Sequence, residues 1–195
     1  MLDLLLLLMV IIWGSNFSVI KYALREFPEI TFNALRLLLS SAVFLLAIVI
    51  LRYRAARGWR SADPPLTRPD WLRVVFLALV GTLLYQLFFL AGVARTSVAN
   101  SALLFGCTPV AVAIMSSVAG HERLTKTRWL GAAMSLAGIY AVVGYRASVS
   151  AATLTGDALV FAGMLCWSLY SVVAQPLLTR HSPLVITGLS MIVGT

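Results

Sequence analysis

Apolar positions along the chain fall into long blocks rather than alternating with polar ones. Six full runs can be read: Leu4–Ile20, Ile30–Leu51, Leu72–Ala94, Val98–Ala119, Trp129–Tyr145 and Ala158–Leu178. Each has 17 to 23 residues, close to the roughly 20 a helix needs to cross the hydrocarbon core. A seventh run opens at Leu184 and stops at Thr195. Twelve helical residues reach about 18 Å of a core about 30 Å thick, so the chain is expected to be a C-terminally truncated fragment. The pattern predicts an all-α integral membrane protein, a multi-span helical bundle.

Composition agrees. Hydrophobic residues make up 61% of the 195 positions, charged residues 11%, and mean hydropathy is +0.94. Soluble domains hold about 45–50% apolar and about 25% charged residues. The N-terminus, MLDLLLLLMVII, lacks a basic leader region and a small-residue cleavage site, so it reads as a retained span.

The net charge of +8 could indicate nucleic acid, but the positions of the charges argue otherwise. Arg52, Arg54, Arg57, Arg60, Arg68 and Arg73 crowd one connecting segment, and Arg123, Lys126 and Arg128 another; with Arg180 they make ten on one side. Lys21, Arg25, Arg95 and Arg146 make four on the other. Cytoplasmic loops carry the basic excess, which predicts a cytoplasmic N-terminus and excludes a nucleic-acid partner as the source of the charge. The segment 52–71, rich in Arg and Pro, reads as a solvated connector. Cys107 and Cys166 lie within apolar runs without metal or CxxC spacing and read as small hydrophobes.

An internal echo follows. WGSNFSVIKYALREFPEIT near the start has a partner in WSLYSVVAQPLLTRHSPLVIT, matching Trp13 with Trp167, Ser18-Val19 with Ser171-Val172, and Pro28 with Pro183 across small gaps. It divides the chain into a first five-helix unit over residues 1–150 and the beginning of a second over 151–195. Five is odd, so the second unit would insert upside down, an arrangement in which secondary transporters bind substrate between the halves near the midplane.

Several polar residues fall within the runs. Asn16 lies about 18 Å along the first helix and shares a face with Trp13; its amide either lines a substrate cavity or bonds to a neighbouring helix. Arg36 sits five or six residues into the second helix, either at a cavity mouth or snorkelling to the interface. Gly81, Tyr85, Phe88 and Gly92 form one stripe of the third helix with Gln86 beside it, a polar-tipped lining or a large-on-small packing seam. In the fourth helix Asn100 shares a face with Leu104 and Cys107, with Thr108 on the neighbouring face. Pro109 predicts a kink or hinge, freeing the Phe105 carbonyl. Gly131, Ser135 and Gly138 form a small-residue stripe that predicts tight helix packing. Trp167 and Tyr170 occupy positions corresponding to Trp13 and Asn16 and are expected to face the same cavity.

Acidic residues, Asp3, Glu26, Glu29, Asp63, Asp70, Glu122 and Asp157, all fall at helix ends or in loops. Without a mid-membrane carboxylate, a cationic-drug antiporter is disfavoured. Both histidines, His121 and His181, fall in loops without metal-ligand spacing, so an enzyme is disfavoured and neither metal nor cofactor is expected. A non-transporting scaffold or inactive fragment remains the alternative.

The segments WGSNF, NALRLLLS, ARTSVANSALLFGCTPVAVAIMSSVAGHERLTKTRWLGAAMSLAGI and CWSLYSVVAQPLL resemble the EamA type of the drug/metabolite transporter superfamily. The resemblance covers essentially all 195 residues, and Ala94 to Ile139 is its most specific part. It implies ten helices in two inverted five-helix repeats when complete, and export of amino acids or related small metabolites across a bacterial inner membrane. A small-molecule substrate and the lipid bilayer are the implied partners, with protons a candidate coupling ion. GHERL departs from the family, where a second Gly more often precedes the Glu.

Overall fold

A computed structural model describes residues 2–58, 63–121, 125–144, 150 and 152–195. Arg60, Glu122, Arg123 and Arg146 lie outside these residues. The helices are α1 (Leu2–Ala23), α2 (Glu29–Ala56), α3 (Arg68–Leu77), a π-helical segment (Ala78–Leu84), α4 (Tyr85–Arg95), α5 (Val98–Gly106), α6 (Thr108–Val118), α7 (Lys126–Val143), α8 (Leu154–Leu178) and α9 (Pro183–Gly194). Among the described residues five stretches are long and apolar enough to cross a membrane: Asp3–Ala23, Glu29–Ala56, Arg68–Arg95, Val98–Val118 and Leu154–Leu178. Helix α7 is not among them, and its first turn carries Lys126 and Arg128. The chain is a multi-span helical membrane protein.

Local chemistry sets the boundaries. Helix α2 runs through Arg52 and Arg54 into the expected connector, because arginine is a good helix former. It stops where Gly58 adopts φ 72° and its N–H closes on the Ala55 carbonyl, the left-handed geometry glycine supplies at little cost. Helix α3 opens with a capping box. The Thr67 N–H donates to Asp70 Oδ2 at 3.0 Å, and the Asp70 N–H donates to Thr67 Oγ1 at 3.4 Å, so two orphan donors are satisfied together.

Helix α8 lies at the centre, packed on the π segment, α4, α5 and α6, while α2 packs on α9 and α4. Helix α1 packs on α4 and α5, and its Trp13 reaches Trp167 of α8; Leu4 through Leu8 are exposed, and Ile20 is its buried anchor. An apolar outer surface is what lipid solvates, so the exposed leucines need no protein partner. Buried hydroxyls mostly bond along their own helices, as Ser168 Oγ does to the Met164 carbonyl at 2.8 Å and Ser101 Oγ to the Ser97 carbonyl at 3.0 Å, which satisfies them without a second chain segment.

The small-residue stripe of α7 is a correction. Gly131, Ser135 and Gly138 are exposed, and a methyl added at either glycine would meet open space. The seam is one residue further on. Ala132, Leu136 and Ile139 are the partly buried face, and Ile139 fills the space a side chain at Gly106 would need, 2.6 Å away. One helical step is about 100°, so a stripe shifted by one residue faces another direction. The close contacts are instead on α8. A methyl on Gly156 would lie 2.6 Å from the Arg95 backbone, and one on Gly92 2.7 Å from Val160, the small-residue contact that lets membrane helices approach.

Candidate functional site

Seven aromatic rings from four helices form one connected network. Trp13 and Phe17 come from α1, Tyr85 and Phe89 from α4, Phe105 from α5, and Trp167 and Tyr170 from α8. Trp13 meets Trp167 edge to face with centroids 6.0 Å apart. Trp167 stacks on Tyr170 at 5.4 Å and tilts against Tyr85 at 5.2 Å. Phe89 and Phe105 then carry the contacts to Phe17. Edge-to-face and offset stacking match the ring quadrupoles and hold such a network in a fixed shape. Phe89 is buried, whereas Tyr85, Trp167 and Tyr170 are half-buried and Trp13 is exposed. The network is therefore a wall with accessible ring surface.

Local sequence explains how the wall is presented. Trp13, Asn16 and Phe17 lie at i, i+3 and i+4 of α1 and share a face. Among the described residues the half-buried Asn16 amide has no hydrogen-bond partner, and the neighbouring Ser15 Oγ donates to the Ile12 carbonyl of its own helix at 3.0 Å. Gly14 has open space about it, so the small residues of α1 do not mediate a close helix approach here. Gly81 does: a side-chain carbon there would lie 2.0 Å from Tyr170 Cδ2. The absence of a side chain seats the Tyr170 ring against the π segment.

That π segment also changes the stripe expected on the third helix. A π turn adds a residue to the helical repeat. Phe88 faces the α2 side, lining a cavity of about 480 Å³ with Asn33, Leu37 and Ala91, while Phe89 joins the aromatic network. Sequence spacing nominated Phe88 and missed Phe17, Phe89 and Phe105. Phe17 was within reach of the spacing argument, being one turn after Trp13; ALVGTLL carries no marker of a π turn.

Arg36 sits beside the wall. Its Nη2 donates to Gln86 Oε1 over a long 3.4 Å, and its guanidinium lies 5.7 Å from the Phe32 centroid. Phe32 packs on the same core that Tyr85, Phe17 and Phe105 cover. Among the described residues no carboxylate pairs with Arg36. Its Nη1 is buried without a partner, as is Oδ1 of Asn33, one turn earlier on α2.

Asn100 and Thr108 are engaged elsewhere. Asn100 Nδ2 donates to both oxygens of Asp157, at 3.0 and 3.1 Å, and the Thr96 hydroxyl donates to Oδ1 of the same carboxylate. Thr96 is also held by Lys21, whose Nζ donates to the carbonyls of Val93, Ala94 and Thr96 at 2.7, 2.8 and 2.8 Å. An ammonium on these carbonyls closes the C-terminus of α4. Lys21, in the last turn of α1, thus caps another helix. The Pro109 kink takes the form of a break at Cys107 between α5 and α6, and Thr108 Oγ1 donates to the freed Phe105 carbonyl at 2.6 Å.

At the other end of the bundle lies a cluster that sequence reasoning missed. Buried Asp70 accepts from Arg180 Nη2 at 2.7 Å and lies 3.8 Å from the Nε2 of buried His181. The partners are 110 residues apart in the chain, so no local spacing announces them. A second cavity of about 680 Å³ lies beside His181, among Arg52, Pro64, Trp71 and Val185. Neither cavity is lined by rings of the aromatic network.

Membrane-length helices around a fixed aromatic wall define a multi-span helical membrane protein with a polar-tipped interior. The chain belongs to the EamA-like transporter family, whose sequence pattern matches residues 1–144. It is 26% identical over 184 residues to "Uncharacterized transporter YyaM" of Bacillus subtilis, covering 93% of this chain and 58% of that protein. An "Uncharacterized transporter" of Archaeoglobus fulgidus is 30% identical over 195 residues, covering 98% and 63%. The "Probable terminal-alkyne amino-acid exporter" of Streptantibioticus cattleyicolor is 25% identical over 192 residues, covering 97% and 60%. A crystal structure of a protein 23% identical superposes with a TM-score of 0.65 over 95% of this chain and 61% of that one, a likeness of fold. The chain spans about three fifths of the length of these relatives.

Proposed function

We propose that the protein is a secondary transporter that exports small metabolites, amino acids or related compounds, by alternating access across a bacterial inner membrane. In this proposal residues 1–150 form one five-helix unit, residues from 151 begin an inverted second, and the N-terminus is cytoplasmic. Substrate binds at the aromatic wall. The carrying observation is the wall itself: ring surface from α1, α4, α5 and α8 with the unpartnered Asn16 amide on the Trp13 face. An amide within a span needs a hydrogen-bonding partner, and a polar solute passing the wall supplies one. Ring faces bind apolar and weakly polar side chains over large areas. The name of the Streptantibioticus relative gives the amino-acid class independent support.

Expression in a host lacking its own exporters, challenged with toxic amino-acid analogues and followed by metabolite tracing, tests the proposal. Resistance and lowered intracellular analogue are expected. No efflux above the vector control across a broad panel would overturn it.

A further inference from the structure

An arginine buried among membrane helices normally pairs with a carboxylate or reaches water, because an uncompensated charge in low dielectric is costly. Arg36, half-buried as a residue, does neither completely. One terminal nitrogen touches the neutral Gln86 oxygen, the other is buried without a partner, and no carboxylate pairs with it among the described residues. Phe32, whose ring lies beside the guanidinium, packs on the same core as Tyr85 of the wall. One turn away on α2, Asn33, a residue 6% exposed, offers an orphaned acceptor.

We infer that Arg36 is the anchor for a carboxylate group of the transported solute, with Gln86 orienting the guanidinium and Nη1 as the donor held ready for the anion. The inference rests on the transport reading and narrows it to carboxylate-bearing solutes. A planar guanidinium presents two parallel donors that match a carboxylate. Gln86 is neutral, so it orients the fork without neutralising it. An acceptor such as Asn33 Oδ1 cannot bind the anion. It suits an ammonium or amide proton on the same solute, which favours zwitterionic over dianionic ligands.

The test is equilibrium dialysis of the purified protein in detergent against radiolabelled matched pairs: leucine with its amide, and phenylacetate with phenylacetamide. Removing a charge-assisted hydrogen bond weakens binding roughly ten- to a hundredfold, so each carboxylate should bind at least about tenfold more tightly than its amide. Arg36→Gln should erase that ratio while leaving amide binding intact, and Arg36→Lys should restore part of it. The amide arm and the Lys variant separate loss of the anchor from loss of the fold. Equal binding of both members of each pair, no saturable binding by either, or a ratio that survives Arg36→Gln would each overturn the inference. A carboxylate preference in binding without flux through proteoliposomes would instead remove the transport reading and leave the anchor in place.

Discussion

Trp13 and Trp167, 154 residues apart in the chain and matched by the internal echo, meet edge to face with centroids 6.0 Å apart. The two tryptophans that the internal echo pairs thus share one surface. If that surface holds substrate, trimming one ring should damage binding before it damages folding. Trp167→Ala should raise the KM for efflux roughly tenfold or more, in line with the roughly 2 kcal/mol or more that a buried aromatic contributes at a binding surface. Kinetics in vesicles, normalised to protein level by immunoblot, check this.

Gly81 and Tyr170 form a matched pair of a missing and a large side chain. Gly81→Val forces a branched side chain to within 2.0 Å of the present ring position, and overpacking of this kind costs about 1–3 kcal/mol. The double variant Gly81→Val with Tyr170→Ala should recover much of the loss, because contacting residues are non-additive. Melting of a detergent-solubilised fluorescent fusion, followed by size exclusion, measures both.

Lys21 closes the end of α4 on three carbonyls. Lys21→Met keeps the apolar stem and removes every donor, leaving three partly buried acceptors to be satisfied by water. A loss of about 1–3 kcal/mol is expected, seen as a lowered melting temperature, and Lys21→Arg should retain part of it.

Asp157 joins α8 to α4 and α5 through Thr96 and Asn100. Asn100→Leu and Asp157→Asn should each lower thermal stability, and together by less than the separate losses combined. A coupling of about 0.5–3 kcal/mol is expected for residues in one network. Strict additivity in a double-mutant cycle would separate them.

Residue pattern carried the spans because a lipid-crossing helix must be apolar over most of its length, and block length alone reports that. The start of α5 at Val98 and the end of α8 at Leu178 coincide with the run limits, while the single run from Val98 to Ala119 is split at Cys107 into α5 and α6. The cap on α4 does not follow from block length, since Lys21 finds its carbonyls 72 to 75 residues away. Trp13, Tyr85, Trp167 and Tyr170 were nominated by spacing and lie in ring contact. Phe88 was nominated and Phe89 is the ring present, because a π turn rotates everything after it and leaves no signature in ALVGTLL. On α7 the error was one residue: glycine and serine mark where packing is permitted, while Ile139 shows where it occurs. Asp70, Arg180 and His181 meet only through the fold.

Counterflow in proteoliposomes tests the central claim most directly. Purified protein is reconstituted, loaded with unlabelled neutral amino acids, and offered labelled ones outside. The account predicts saturable accumulation of label with the unaltered protein, strongly reduced with Trp167→Ala at equal incorporation. Accumulation no greater than in protein-free liposomes across the panel, or undiminished with Trp167→Ala, would contradict it.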